Sequence, residues 1–231
     1  MSKAKISIRK IVFTLLWCTT AVAGIVLLVA AVRSKNVKTC KGVEVEISGV
    51  SNNFFIDRSD VLKVLSDFVG GDPAGRTINR FNLKDIERNL ETQVWIKNAE
   101  LYFDNNEILR VYGDEREPVA RVFTTSGNSF YIDSSLKVLP LSDKFSALLP
   151  VFTDFPSQPG AISKADSMLL RSIKNVSMAI VQDEFLFALI DQVNITGQRG
   201  FMMQPKMGQQ QIELGDASDL AEKFEKLKIF Y

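Results

Sequence analysis

The longest apolar stretch of the chain lies close to its N-terminus. Residues 11–32 carry no charged side chain, and a helix of that length spans about 33 Å, the thickness of a bilayer core. The pattern therefore predicts a transmembrane helix. A cleaved signal peptide is the alternative, because residues 21–23 read Ala-Val-Ala. Since the apolar run continues well beyond Ala23, we expect an uncleaved anchor.

Alternating and helical patterns follow the apolar run in the order strand, helix, helix, strand, strand. Residues 43–50 alternate between apolar and polar, as a half-buried strand does. Asp57 and Asn82 predict the N-termini of two helices. The second helix would present Leu83, Ile86, Leu90 and Val94 on one face. Residues 95–103 and 108–112 predict the last two strands, joined by a turn. Two helices on one face of such a three-stranded sheet would bury their apolar stripes.

The second half of the chain is richer in strands. Short strands are expected at residues 119–124, 129–133, 137–141 and 149–154. Ser163 predicts the start of a helix that extends to about residue 181. Its inward face would consist of Met168, Leu169, Ile173, Val176 and Ile180.

The last third of this half is less regular. Residues 184–194 fit either a strand or a helix. Residues 201–204 and 209–214 predict two strands. A final helix would open at Asp216 or Ser218 and extend to about residue 228. Its inward residues would be Leu220, Phe224 and Leu227.

These patterns predict an α+β chain with a single transmembrane helix. A β-α-α-β-β domain would follow it, and then a mainly antiparallel β domain with two flanking helices. Arg116, Glu117 and Pro118 mark the junction, because a proline cannot donate to a sheet ladder. The expected divisions are a cytoplasmic tail (1–10), the transmembrane helix (11–32), a linker (33–42), the first domain (43–115) and the β domain (116–231).

Charge gives the orientation only indirectly. Four basic residues lie on each side of the apolar run, so the positive-inside rule is balanced. Long domains cross the membrane largely regardless of charge. We therefore expect the short tail in the cytoplasm and the larger part, from residue 33 onward, outside. From residue 42 onward, 20 basic and 27 acidic residues give that part a net charge of −7.

Composition removes many enzyme classes. The chain has no histidine and two cysteines, which excludes histidine-dependent catalysis and four-thiolate metal sites. Cys18 and Cys40 lie too far apart to bridge within one chain, but Cys40 could link two chains. Ser134 and Lys137 match the Ser-x-x-Lys motif, although its partner motifs do not occur. We expect no enzyme, no cofactor and no metal.

The order of elements and several short motifs resemble the FtsQ/DivIB family of bacterial cell-division proteins. The first domain is similar to the family's POTRA domain. The similarity covers essentially the whole chain. It is carried by residues 45–50 at the POTRA entrance, 116–120 at the junction, 131–133 and 137–140 in a strand pair, and 212–215 and 222–227 in a late strand, Leu-Gly turn and helix.

The resemblance implies a non-enzymatic scaffold of the divisome in the inner membrane. Its outer domains would lie in the periplasm at the septum, where they would bind FtsB/FtsL-type proteins and help control peptidoglycan synthesis. In the family, the partner adds a strand to the terminal strand of the sheet. Here the sequence ends after the last predicted helix, so the bare edge would be the strand before it. The expected partner-binding residues are Gln209, Gln210, Gln211, Ile212, Glu213 and Leu214.

Two other functions remain open from the sequence. A POTRA-type periplasmic chaperone or adaptor in envelope assembly has a related first domain. However, the residues after that domain are too few for a sixteen-stranded pore. A membrane-tethered hydrolase would use carboxylates alone. It would need two acids that converge in a cleft. Asp114, Glu115 and Glu117 could serve acid–base chemistry, but with Arg116 and Arg121 they are better explained as a charge-paired domain junction.

Overall fold

A computed structural model describes residues 8–36, 38–49 and 55–231. The first element is helix α1, Ile8–Asn36. It contains the apolar span Val12–Ala30, which has a mean hydropathy of 2.3 and is not buried by any other part of the described chain. The helix is therefore long and apolar enough to cross a bilayer.

Two expectations fall partly outside the described residues. The first seven residues of the expected tail are among those that the structure leaves undescribed, and so is Val50, at the end of the first predicted strand. Of that predicted strand, residues 43–48 form a strand and Gly49 does not.

The first unit, residues 38–115, contains three strands and two helices. Asp57 caps α2 as predicted: its carboxylate accepts hydrogen bonds from the backbone N–H of Ser59 at 2.8 Å and of Asp60 at 3.0 Å. Gly70 ends that helix in a left-handed conformation. The elements are β1 (Gly42–Ser48), α2 (Arg58–Val69), a short 3₁₀ helix (Ile78–Arg80), α3 (Leu83–Glu91), β2 (Ile96–Phe103) and β3 (Ile108–Glu115).

The sheet of the first unit has the strand order β1-β3-β2, with β1 parallel to β3 and β2 antiparallel to it. The apolar residues of α2 and α3 pack on one of its faces around Leu65, Ile86 and Leu109. This arrangement confirms the predicted layers. The prediction that Val94 belongs to α3 was wrong, because the helix ends at Glu91 and the chain turns before β2.

The second unit, residues 116–231, is built on a seven-stranded mixed sheet with the order β10-β9-β8-β7-β4-β5-β6. The β4–β7 and β7–β8 pairs are parallel and the other four are antiparallel. The elements are β4 (Pro118–Thr124), β5 (Ser129–Asp133), β6 (Val138–Leu139), β7 (Val151–Phe155), α4 (Lys164–Val181), α5 (Glu184–Leu189), β8 (Ile190–Ile195), β9 (Phe201–Pro205), β10 (Ile212–Gly215) and α6 (Leu220–Phe230).

One face of this sheet is covered by α4, α5 and α6, and the core contains Phe152, Ile173 and Phe224. Ser163 caps α4 by accepting the N–H of Asp166 at 3.1 Å, as predicted. Met168 was wrongly assigned to the inward face, since its side chain is 60% exposed and Leu170 is buried instead. The ambiguous segment forms a helix followed by a strand.

The start of the final helix differs from the prediction, and the turn between β5 and β6 contains a left-handed residue. The final helix begins at Leu220, after Asp219, which has a left-handed backbone and makes no side-chain cap. Leu136 takes the left-handed conformation (φ 69°) between β5 and β6, where the sequence offers no glycine. The strand pair is kept because the Asp133 carboxylate accepts hydrogen bonds from the turn.

Cys40 does not lie at the surface. It is 1% exposed and belongs to the core of the first unit, where its thiol donates to the carbonyl of Gly42 at 3.2 Å. The described structure thus contradicts the expectation of an accessible cysteine at this position. A disulfide between two chains through Cys40 would require the first unit to open.

Candidate partner-binding edge

The edge strand of the large sheet is β10. It pairs on one side with β9, through Ile212 opposite Met203 and Glu213 opposite Met202. Within the described residues, no strand pairs with its other side. An edge strand presents unpaired backbone N–H and C=O groups that can bind an added strand.

The strand is shorter than predicted, because residues 209–211 form an exposed loop before it. Gly208 has a left-handed backbone (φ 93°) at the start of this loop, and glutamine is not a strong strand former. Of the six residues expected to bind a partner, Ile212 and Leu214 face the core, whereas Glu213 is exposed. The backbone of β10, rather than the glutamines, forms the sheet edge.

The end of α6 lies beside this loop. The side-chain amide of Gln210 donates to the Tyr231 hydroxyl at 2.7 Å, and the Tyr231 ring meets Phe185 edge to face at 6.2 Å. Lys228 forms an ion pair with Asp183, the N-cap of α5, at 3.1 Å. These contacts hold α5, α6 and the loop before β10 in one arrangement.

The turn after β10 is fixed by Asp216. Its carboxylate accepts hydrogen bonds from the Lys223 ammonium at 2.8 Å and the Ser218 hydroxyl at 2.6 Å. The Lys223 contact, followed by the Ser218 bonds, holds the pKa of Asp216 well below its usual range. Since Lys223 belongs to α6, this turn connects the edge strand to the helix.

The residues of the expected junction lie between β3 and β4. The backbone N–H of Arg116 donates to the carbonyl of Trp95 at 2.8 Å, and its guanidinium forms an ion pair with Asp133 at 3.0 Å. The Asp133 side chain is only 6% exposed. Pro118 is the first residue of β4, a position that a proline tolerates. Arg116 is thus bonded to both units.

An aromatic cluster between the units was missed by the sequence reasoning. Phe55 and Trp95 of the first unit meet Tyr131 and Phe145 of the second. The segment that carries Phe145 has no regular secondary structure, yet its exposure alternates along residues 144–149. The sequence gives only a weak signal for it, because Leu148 is also apolar and interrupts the period of two formed by Phe145, Ala147 and Leu149.

The residues that were candidates for catalysis occupy structural positions. Ser134 is exposed in the turn between β5 and β6, and Lys137 donates its backbone N–H to the Asp133 carboxylate at 2.8 Å. Glu115 accepts the backbone N–H groups of Phe55 at 2.5 Å and Ile56 at 3.0 Å. Burial raises the pKa of Glu115, although both N–H donors oppose that change.

Two family models match the chain. Residues 117–231 match the model described as FtsQ/DivIB, C-terminal related, and residues 38–112 match the POTRA-like domain. The chain belongs to the FtsQ/DivIB family. No curated protein matches it.

Membership of the FtsQ/DivIB family makes the chain a division-associated POTRA protein. The family is one of non-enzymatic scaffolds, and membership implies protein–protein interaction in division. Together with the apolar helix α1, it indicates a single-pass membrane protein.

Proposed function

We propose that this protein is a bitopic scaffold of the bacterial divisome that binds FtsB/FtsL-type proteins by strand addition at β10 and helps control septal peptidoglycan synthesis. The observation that carries the proposal is the position of β10 at the end of the seven-stranded sheet, with its outer side open in the described structure.

The contacts around β10 support its use as a docking strand. A strand that adds to an edge gains main-chain hydrogen bonds, and the alternating side chains set its register. The ion pair of Asp216 with Lys223 and the hydrogen bond of Gln210 with Tyr231 hold both ends of this region before a partner arrives. A pre-ordered edge loses less conformational entropy on binding.

The proposal includes the orientation of the chain in the membrane and the location of its two domains. The tail of residues 1–10 would lie in the cytoplasm, and the domains of residues 43–115 and 116–231 would lie in the periplasm at the septum. The length of these units favours this orientation, since the charges flanking the helix are balanced. Alkaline phosphatase fused after Tyr231 should be active in this orientation and inactive in the reverse one.

Depletion of the protein in its source bacterium tests the function. Undivided filaments or chains with normal elongation are expected, because a divisome scaffold acts in septation. Normal division with a leaky outer envelope would contradict the proposal and would favour a POTRA-type chaperone or adaptor. Complementation with a variant altered only at the β10 edge then separates the strand-addition mechanism from the general role in division.

A further inference from the structure

One face of the small sheet in the first unit is open to solvent. Alternate residues of β1, β3 and β2 point away from α2 and α3. The strand register arranges these residues in three rows across the sheet. The rows are Glu44, Arg110 and Tyr102; Glu46, Tyr112 and Glu100; and Ser48, Asp114 and Asn98.

Two tyrosines form an exposed platform on this face. The rings of Tyr102 and Tyr112 are stacked, with their centroids 5.9 Å apart and their planes 12° from parallel. The two residues are 48% and 37% exposed. The electron-rich face of an aromatic ring attracts cations, and Lys or Arg side chains commonly occupy such positions.

The charged residues near the two tyrosines are paired in the first row but not in the middle row. In the first row, Arg110 is paired with Glu44 and, at 3.1 Å, with Asp104. In the middle row, Glu46 and Glu100 stand on either side of Tyr112. Within the described part of the chain, neither forms an ion pair. Neighbouring strands lie about 4.8 Å apart, so both carboxylates are within reach of a group bound over the Tyr112 ring.

The titration of Tyr112 is consistent with this arrangement. Its hydrogen bond with Tyr102 raises the pKa of Tyr112, and the negative charge of Glu46 adds to that rise. Arg110 acts on the pKa of Tyr112 in the opposite direction, and the Glu46 carboxylate would favour a positive charge held beside the ring.

We infer that the middle row, Glu46, Tyr112 and Glu100, binds a lysine or arginine side chain presented by a basic segment of a partner protein. The ring would contact the cation from below, and the two carboxylates would pair with it from the sides. Anionic partners such as lipid headgroups would be repelled by the same carboxylates. This surface lies on a different sheet from β10, so it would serve a second partner contact.

The test is fluorescence anisotropy of a labelled eight-residue peptide of alternating lysine and glycine with the full chain in zwitterionic nanodiscs. Binding should weaken on raising the salt from 50 to 300 mM and should be lost with a glutamine peptide. The Glu46→Gln/Glu100→Gln variant should weaken binding about fivefold to tenfold, as expected for two exposed ion pairs. Tyr112→Leu should weaken it about threefold.

The matched control is Asp67→Asn/Asp191→Asn, which removes two exposed carboxylates elsewhere. It should bind the peptide like the wild type. Equal weakening in both double variants would show a general response to net charge and would overturn the site, as would unchanged binding in Glu46→Gln/Glu100→Gln. Thermal midpoints and circular dichroism confirm that each variant is folded.

Discussion

Phe55 stacks face to face on Trp95, with the ring centroids 3.9 Å apart and the planes 5° from parallel. Tyr131 and Phe145 of the second unit meet Phe55 edge-on at 5.7 and 5.1 Å. Such pairs add to the free energy gained by burying the rings. The two units therefore share a small aromatic core, and Phe55 contacts every ring in it.

Truncation of Phe55 should destabilise the protein strongly. We expect Phe55→Ala to lower the free energy of unfolding by about 3 kcal/mol, because the ring is only 6% exposed. Phe68→Ala is the control, since Phe68 is 44% exposed on α2, and it should cost less than about 1 kcal/mol. Urea denaturation of the full chain in micelles measures both. Equal losses would contradict the central position of Phe55.

Two substitutions of Glu115 should act in opposite directions. Glu115→Ala leaves the buried N–H groups of Phe55 and Ile56 without their acceptor and should cost about 2 kcal/mol. Glu115→Gln keeps an acceptor oxygen and removes a partly buried charge. It should therefore be more stable than the wild type at pH 7.

The advantage of Glu115→Gln should depend on pH. Since the folded pKa of Glu115 is raised, the stability that this group contributes is present below its unfolded value of 4.5 and is lost as the pH rises through the folded pKa. The difference between Gln and wild type should thus disappear as the pH falls toward 4.5. Urea midpoints at several pH values test this, and a difference that grows on acidification would be the opposite result.

The ion pair at the junction gives a third prediction. The Asp133 carboxylate accepts from Arg116 at 3.0 Å and from the backbone N–H of Lys137 at 2.8 Å. Asp133→Ala would leave a partly buried guanidinium without this carboxylate, at a cost of about 3 kcal/mol. Asp191→Ala, at an exposed position of β8, should change stability by less than about 0.5 kcal/mol. Similar unfolding curves for the two variants would show that the junction pair contributes little.

The sequence predicted most of the helices and strands because local signals and tertiary packing agree in them. Asp57 and Ser163 cap helices as expected, and the alternation in β1 matches its burial. Val94 continued the helical spacing of α3, but the polar turn at Thr92 ended the helix first. Met168 fitted a helical face whose true orientation depends on the sheet beneath it.

The sequence predicted the position of the candidate edge strand in the chain but not its length. The late strand and its Leu-Gly turn were visible in the pattern, whereas the start of β10 at Ile212 depends on the backbone of Gly208 and the loop after it. The aromatic contacts of Phe55 join residues far apart in the chain, and the parallel pairing of β4 with β7 is equally non-local. The periodicity of apolar residues does not show which distant residues or strands will contact each other.

Proline substitutions can separate strand addition from folding. Adjacent residues of a strand direct their N–H groups to opposite sides, so one of Ile212 and Glu213 donates toward β9 and the other toward the open edge. The proline variant that removes the N–H donated to β9 should lower the thermal midpoint. The proline variant that removes the N–H directed toward the open edge should keep the midpoint near the wild-type value. It should lose binding to the FtsB/FtsL-type partner in co-purification. Retained binding in the stable variant would contradict strand addition at β10.

The most direct test of the account is site-specific photo-crosslinking in dividing cells of the source bacterium. A photoreactive phenylalanine at the exposed Glu213 of β10 should form a crosslink to the FtsB-type protein, identified by mass spectrometry. The same probe at Asp191, exposed on the interior strand β8, should not. A crosslink of equal yield from both positions, or none from Glu213 in cells that divide normally, would contradict binding at the β10 edge.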